Sequence, residues 1–282
     1  MRSQVTAFAV GLLVVLAACS NGGASPISSV PSTVPSTMAS VAASSPPAAL
    51  TIYGAASLKG VLDKVKAAYE TAHPGTTLTI STDSSATLET QIEQGAPADV
   101  FLSADTTNPG MLVEHGLAAG AAVAFAANKL TIIVPTANPA AIRTPADLAK
   151  PGVKVIAAGD AVPITKYATQ LVANLAGQPG YPATFAAAYA ANIVSKEDNV
   201  KAIVAKIELD EGDAGIVYVT DGRASTRVSA VDVPDAANVP ATYAGVVVRA
   251  SKSAAAAQAF LAWFAGPAGQ AILASFGFLP PS

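Results

Sequence analysis

The sequence predicts an α/β fold made of two lobes, each a mostly parallel sheet flanked by helices, with a cleft between them. Three observations carry that expectation. Short apolar runs alternate with amphipathic stretches from about residue 50 onward, and such alternation argues for parallel sheets covered on both faces. The run "ADVFLSAD" is wholly apolar in its middle, as buried parallel strands are. A second series of the same kind begins at about Asn128, so two α/β units share the chain.

The elements follow in order. "LTIYGAAS" reads as a strand and its exit. "LKGVLDKVKAAYETAH" sets Leu58, Val61, Leu62, Val65 and Tyr69 at helical spacing. "PGTTLTISTDS" is a strand entered through a Pro-Gly turn. "SATLETQIEQGA" is a helix stopped at Gly95, followed by the strand "ADVFLSAD" and the short helix "PGMLVEHG", closed by Gly116. In the second series "KLTIIVP" and "VKVIAAG" read as strands, "ITKYATQLVANLAG" and "EDNVKAIVAKIELDEG" as helices, and "AGIVYVTDG" as an apolar strand ending in a turn. "TYAGVVVR" is a late strand, and the tail holds two helices broken at Gly266-Pro267. The first lobe is expected over residues 50–127 plus 240–282, and the second over 128–239.

The chain opens with Arg2, an apolar run and small residues before Cys19. Residues 1–18 therefore read as a secretory signal, since the apolar run falls short of the roughly 20 residues that span a bilayer. "LAAC", Leu16 to Cys19, resembles the lipobox of bacterial lipoproteins. That resemblance implies cleavage before Cys19, a lipid on its thiol, and an extracytoplasmic protein held to the outer face of the cell membrane by that anchor alone. The other reading is an ordinary signal with an accidental cysteine. Cys19 is the only cysteine, which excludes an intrachain disulfide and a Cys-based metal cluster. Residues 20–49 are uncharged and rich in Ser, Pro, Thr and Ala, so they read as a disordered tether behind Cys19. Net charge is −3 with no Lys/Arg cluster, which argues against a nucleic-acid partner.

Small and hydroxyl residues collect where predicted strands end. They are Ala55-Ala56-Ser57, Ser84-Ser85, Val162-Pro163-Ile164-Thr165 and Asp198-Asn199-Val200. In open α/β sheets ligands bind outside the carboxyl ends of strands. The first turn of a helix has unpaired N–H groups and partial positive charge. Four helix starts facing one cleft make an anion site without Lys or Arg. Each residue alone has a simpler explanation: Ser57, Ser84 and Ser85 as helix caps, Tyr218 as a core tyrosine. The set together favours a ligand.

That set resembles the molybdate-binding proteins of bacterial ABC importers, the ModA family. The resemblance spans about residues 50 to 282 and rests on "AASL", "SSATLETQIEQGAPADVFLSAD", "VPITKYA", "EDNVKAI", "GDAGIVYVTD" and "GPAGQAILASFGF". It implies the two-lobed periplasmic-binding-protein fold of type II, no enzymatic activity, no cofactor, a monomer, and delivery of molybdate or tungstate to a permease with a separate ATPase. Carried over to this chain, Ser57 and Ser85 would offer hydroxyl and backbone N–H, Ile164 and Val200 backbone N–H, and Tyr218 its phenol. Ser84 and Thr165 are further candidate contacts. Two positions depart from the family's pattern: Ile164-Thr165 stand where a small residue and a glycine are usual, and Asp83 stands beside the serine pair. No metal is expected beyond the molybdenum of the anion.

The donor chemistry agrees. Molybdate is a full dianion at neutral pH and offers acceptors only, which Ser, Tyr and backbone N–H groups satisfy. Phosphate or sulfate is the nearest rival. Phosphate keeps a proton near neutrality, so a phosphate site gains from a carboxylate, for which Asp83 or Asp198 would serve. The expectation is instead that Asp83 points away or caps the following turn, and that Asp198 caps its helix. Ferric iron binders use clustered tyrosines, whereas no two tyrosines here are adjacent. For an enzyme, Ser57 lacks a Gly-x-Ser-x-Gly elbow, and His73 and His115, the only imidazoles, read as surface residues. A purely adhesive surface lipoprotein is a third class, which the anion set disfavours.

Overall fold

The computed structural model describes residues 48–281. The secretory signal, Cys19 and the tether up to residue 47 therefore lie outside the described residues, and the tether's expected end at 49 is corrected, because Ala49 already begins a strand. Ten strands form two five-stranded sheets of matching design.

The first sheet has the order β2-β1-β3-β10-β4, built from β1 (Ala49–Ala55), β2 (Thr77–Asp83), β3 (Val100–Ser103), β4 (Val123–Asn128) and β10 (Ala241–Val247). The second has the order β7-β6-β8-β5-β9, from β5 (Leu130–Pro135), β6 (Val155–Ala158), β7 (Ile193–Glu197), β8 (Ala214–Tyr218) and β9 (Val228–Val231). The sheets are mixed, but four of the five strands in each run the same way. Only β10 in the first and β5 in the second run against their neighbours. Those are the two strands entered directly after the chain crosses from one sheet to the other. The crossing reverses the chain, and the strand it delivers is therefore the reversed one.

Nine α-helices cover the described part of the sheets. α1 (Lys59–Ala72), α2 (Ser85–Glu93), α3 (Thr107–Glu114), α8 (Ala254–Ala265) and α9 (Pro267–Ser275) flank the first sheet. α4 (Pro163–Ala176), α5 (Phe185–Ala191), α6 (Val200–Glu208) and α7 (Val219–Arg223) flank the second. α1 buries Val61, Leu62, Val65 and Tyr69, and α6 buries Val200, Ile203, Val204 and Ile207. These are the 3-4 spacings that a single helix face requires.

Two glycines permit close packing at the strands that lead into the cleft. A Cβ on Gly54 of β1 would stand 2.4 Å from Leu62 Cδ1 of α1. A Cβ on Gly215 of β8 would stand 2.5 Å from Ile203 Cγ2 of α6. Each glycine lets a helix that starts at the cleft lie flat on its sheet.

One apolar core runs through both lobes. A chain of rings crosses the cleft floor. Tyr167 of α4 meets Tyr218 at 6.3 Å, Tyr218 meets Tyr243 of β10 at 5.5 Å, and Tyr243 meets Phe125 of β4 at 6.1 Å. All three contacts are edge-on, a favoured aromatic geometry. Among the described residues no helix is long and apolar enough to cross a membrane.

Candidate functional site

The cleft between the sheets contains a small cavity lined by twelve residues from both lobes. Ser57, Ser84, Ser85, Ile164, Val200 and Tyr218 are all among them. All six line it because parallel strands end there and helices begin. Ser57 sits in a 3-10 turn (Ala56–Leu58) between β1 and α1. Ser84 precedes α2 and Ser85 is its first residue. Ile164 is the second residue of α4, after Pro163, and Val200 is the first of α6. Tyr218 ends β8.

The helix starts face the cavity with N–H groups to spare. In α4 the Thr165 N–H is taken by the Val162 carbonyl, and in α6 the Ala202 N–H is taken by Asn199 Oδ1. The Ile164 and Val200 N–H groups are first-turn amides without partners inside their helices.

The hydroxyls are arranged as donors. Ser85 Oγ accepts from the Ala104 N–H at 3.0 Å, which leaves its own proton to give. Ser57 Oγ lies 3.0 Å from Tyr243 OH. Ser84 Oγ and Tyr218 OH are buried and have no hydrogen-bond partner. Burial above all, with Tyr243, Tyr167, Asp221 and Asp105 nearby, holds the Tyr218 phenol well above its usual pKa. Burial does the same for Tyr243. Both phenols therefore stay protonated. No Lys, Arg or His and no carboxylate lines the cavity. Two orphaned buried hydroxyls, four further donors lining the same cavity and no cation suit a deprotonated oxyanion.

Two expectations need correction, and a third holds in one of its two forms. Thr165 does not line this cavity: its Oγ1 donates to the Gly159 carbonyl at 2.8 Å and to Ala158 at 3.2 Å. It faces a separate, largely apolar cavity of about 310 Å³ between α4 and α5. Asp198 does not cap α6; Asn199 does, through Oδ1. Asp83 caps the next turn by accepting from the Ser84 N–H at 2.7 Å, as expected, but it also accepts from Asn199 Nδ2 of the other lobe at 3.1 Å. It does not point away. Neither histidine lines the cavity. His73 stacks on Tyr69 at 4.0 Å, and His115 pairs with Glu93.

Behind the cavity, Lys201 and Asp221 form an ion pair at 2.7 Å, with the Asp221 side chain fully enclosed. Burial raises the Asp221 pKa and Lys201 opposes it. The pair ties the helix that carries Val200 to the one that follows Tyr218.

The model of the bacterial extracellular solute-binding proteins matches residues 50–279. The chain belongs to that family. It is 34% identical over 233 residues to the molybdate-binding protein ModA of Mycobacterium tuberculosis H37Rv, covering 82% of this chain and 85% of the relative. Among solved structures, the periplasmic molybdate-binding protein of Azotobacter vinelandii superposes with a TM-score of 0.70 at 24% identity, over 83% of this chain and all of that one (100%). The sulfate-binding protein SubI of Mycobacterium tuberculosis superposes with a TM-score of 0.73 at 21% identity, over 83% of this chain and 87% of that one. At those identities the two structures bear on the fold alone. This fold is therefore shared by a molybdate-binding and a sulfate-binding protein.

Proposed function

We propose that this chain captures molybdate, and tungstate with it, outside the cytoplasm and delivers it to the permease of an ABC importer. It acts as a binding protein without catalysis, as a monomer, and is anchored through lipidated Cys19. Ser57, Ser84, Ser85 and Tyr218 give hydroxyl protons to the anion, and Ile164 and Val200 give backbone N–H. The moving bodies are residues 50–127 with 240–282, and residues 128–239.

The observation that carries this reading is the lining of the cavity: neutral donors only, two of them orphaned, with no carboxylate. A dianion without protons suits that lining. Phosphate, which keeps a proton near neutral pH, finds no carboxylate there to take it. Preorganised neutral donors also avoid the desolvation of a buried ammonium or guanidinium. The room at the centre, about 10 Å³ for the centre of a water-sized sphere, is about one water's worth. A four-oxygen anion therefore enters only when the lobes part, and closure completes its donor set, as in hinge-type binding proteins.

Calorimetric titration with molybdate, tungstate, sulfate and phosphate tests the proposal. Tight binding of the first two and none of the others is expected, with a rise in melting temperature from preferential binding to the folded state. Phosphate binding in place of molybdate would overturn it, and so would silence with all four.

A further inference from the structure

Glu89 is an unusual residue for the interior of the first lobe. It is 4% exposed, lies one turn beyond Ser85 on α2, and its Oε1 is buried without a hydrogen-bond partner. A buried carboxylate is costly unless something compensates it. Its neighbour one turn further, Glu93, adds a like charge. Burial first, and Glu93 second, raise the Glu89 pKa. The third group is His115, the C-terminal cap of α3, whose Nδ1 lies 2.5 Å from Glu93 Oε1. One ligand atom from each of Glu89, Glu93 and His115 falls within 4.8 Å of the others.

We propose that Glu89, Glu93 and His115 form a site for a divalent transition-metal cation of the zinc class, separate from the oxyanion cavity. The donor set is one imidazole nitrogen and two carboxylate oxygens. Zinc and its neighbours accept that mixture, whereas calcium and magnesium favour oxygen alone. A dication cancels the two carboxylates and supplies the partner that Glu89 Oε1 lacks. The cluster also lies where α2 and α3 both end, and helix C-termini carry partial negative charge that favours a cation. Tetrahedral zinc with bonds of about 2.1 Å sets its ligand atoms about 3.4 Å apart. To reach that spacing the Glu93–His115 contact of 2.5 Å must open, and the wider separations, up to 4.8 Å, must close. Glu93 and His115 keep 32% and 51% of their side-chain exposure, so both have room to move onto the fixed Glu89. The competing arrangement is a carboxylic acid–carboxylate pair sharing one proton, which needs no metal.

The purified full chain, stripped with a chelator and free of molybdate, is titrated with Zn²⁺ and separately with Mg²⁺. One equivalent of Zn²⁺ should bind, with Mg²⁺ at least tenfold weaker. His115→Ala, Glu93→Gln and Glu89→Gln should each weaken Zn²⁺ binding tenfold or more. His115→Ala touches a half-exposed side chain and keeps the test valid if Glu89→Gln fails to fold. Its molybdate titration should match that of the unaltered protein. Absence of Zn²⁺ binding would overturn the site in favour of the shared proton. Unchanged Zn²⁺ affinity in His115→Ala would overturn it by placing the metal elsewhere, and an altered molybdate titration in that variant would overturn its separateness.

Discussion

Ser57 Oγ and Tyr243 OH lie 3.0 Å apart although 186 residues separate them in the chain. Either hydroxyl can donate in that bond, and the groups behind Tyr243 favour one arrangement. Asn128 Oδ1 accepts from the Lys129 N–H, so the amide's donors are left to face the other way. Asn128 Nδ2 donates to Thr220 Oγ1 at 2.8 Å, and the same side chain hydrogen-bonds the Tyr243 phenol. With Asn128 donating to Tyr243, the phenol proton is free for Ser57, and Ser57 in turn keeps its own proton for the cavity it lines. Tyr243→Phe should keep the fold and weaken molybdate binding about 5- to 10-fold, the worth of one net hydrogen bond at roughly 1–1.5 kcal/mol. Calorimetry on the variant, with circular dichroism to confirm folding, checks this. Unchanged affinity would show that Ser57 orients itself.

The orphaned hydroxyls predict a trade of stability against binding. An unsatisfied buried polar group costs about 1–3 kcal/mol. Removing Tyr218 OH or Ser84 Oγ should therefore raise the melting temperature of the anion-free protein or leave it unchanged. The same variants, Tyr218→Phe and Ser84→Ala, should lose roughly 10- to 100-fold in molybdate affinity, because a hydrogen bond to a charged group is worth about 1.5–3 kcal/mol. Thermal melts with and without molybdate read both effects. A destabilised anion-free Tyr218→Phe would mean that the hydroxyl has a structural partner.

Much of this site was legible in the sequence because it is local. A hydroxyl residue at the end of an apolar run, followed by helical spacing, marks a helix start, and Ser57 and Ser85 needed nothing more for that, whereas Val200's contact entered through the family resemblance. What was not legible depends on distant partners. Tyr243 reads as one more aromatic in an apolar strand, and only the reversed strand β10 brings it under Ser57. Thr165 looked available because its carbonyl partners are in the preceding strand end. Asp198 and Asn199 are equally good caps on paper, and the backbone chose the second. Strands β4, β7 and β9 and the helices α5 and α7 were missed, since runs such as "VAFAAN", "IVSKE" and "FAAAYAA" are short and show no clear period. The metal-type cluster was hidden as well: His115 comes to Glu93 from another helix, 22 residues away.

Asp83 and Asn199 link the lobes at the cavity rim at 3.1 Å. Asn199 does two jobs, capping α6 through Oδ1 and reaching Asp83 through Nδ2. Asn199→Asp separates them. The cap survives, since Asp caps as well as Asn does, but the latch becomes two facing carboxylates. Molybdate should then dissociate about tenfold faster while thermal stability changes little. Stopped-flow release measures the rate. An unchanged rate would mean that closure rests on the anion's own contacts.

Asp147 offers a test of the second lobe's stability away from the site. It closes the 3-10 turn Pro145–Ala149 in a capping box with Thr144. Burial alone would raise its pKa, but Lys150 and the N–H groups of Arg143 and Thr144 outweigh that and hold it at about 2, against an ordinary 3.8. A depressed carboxylate pKa stabilises the fold above the unfolded value and is lost as pH falls through the folded one. The window therefore runs from about 4 down to about 2, and the contribution at neutral pH is at most about 2 kcal/mol at 1.36 kcal/mol per unit, reduced by solvent screening of a pair whose Lys150 side chain is 55% exposed. Asp147→Asn should unfold at lower urea than the unaltered protein at pH 7, and the two should converge as pH approaches 2. A gap that persists unchanged in acid would show that the aspartate acts through its shape rather than its charge.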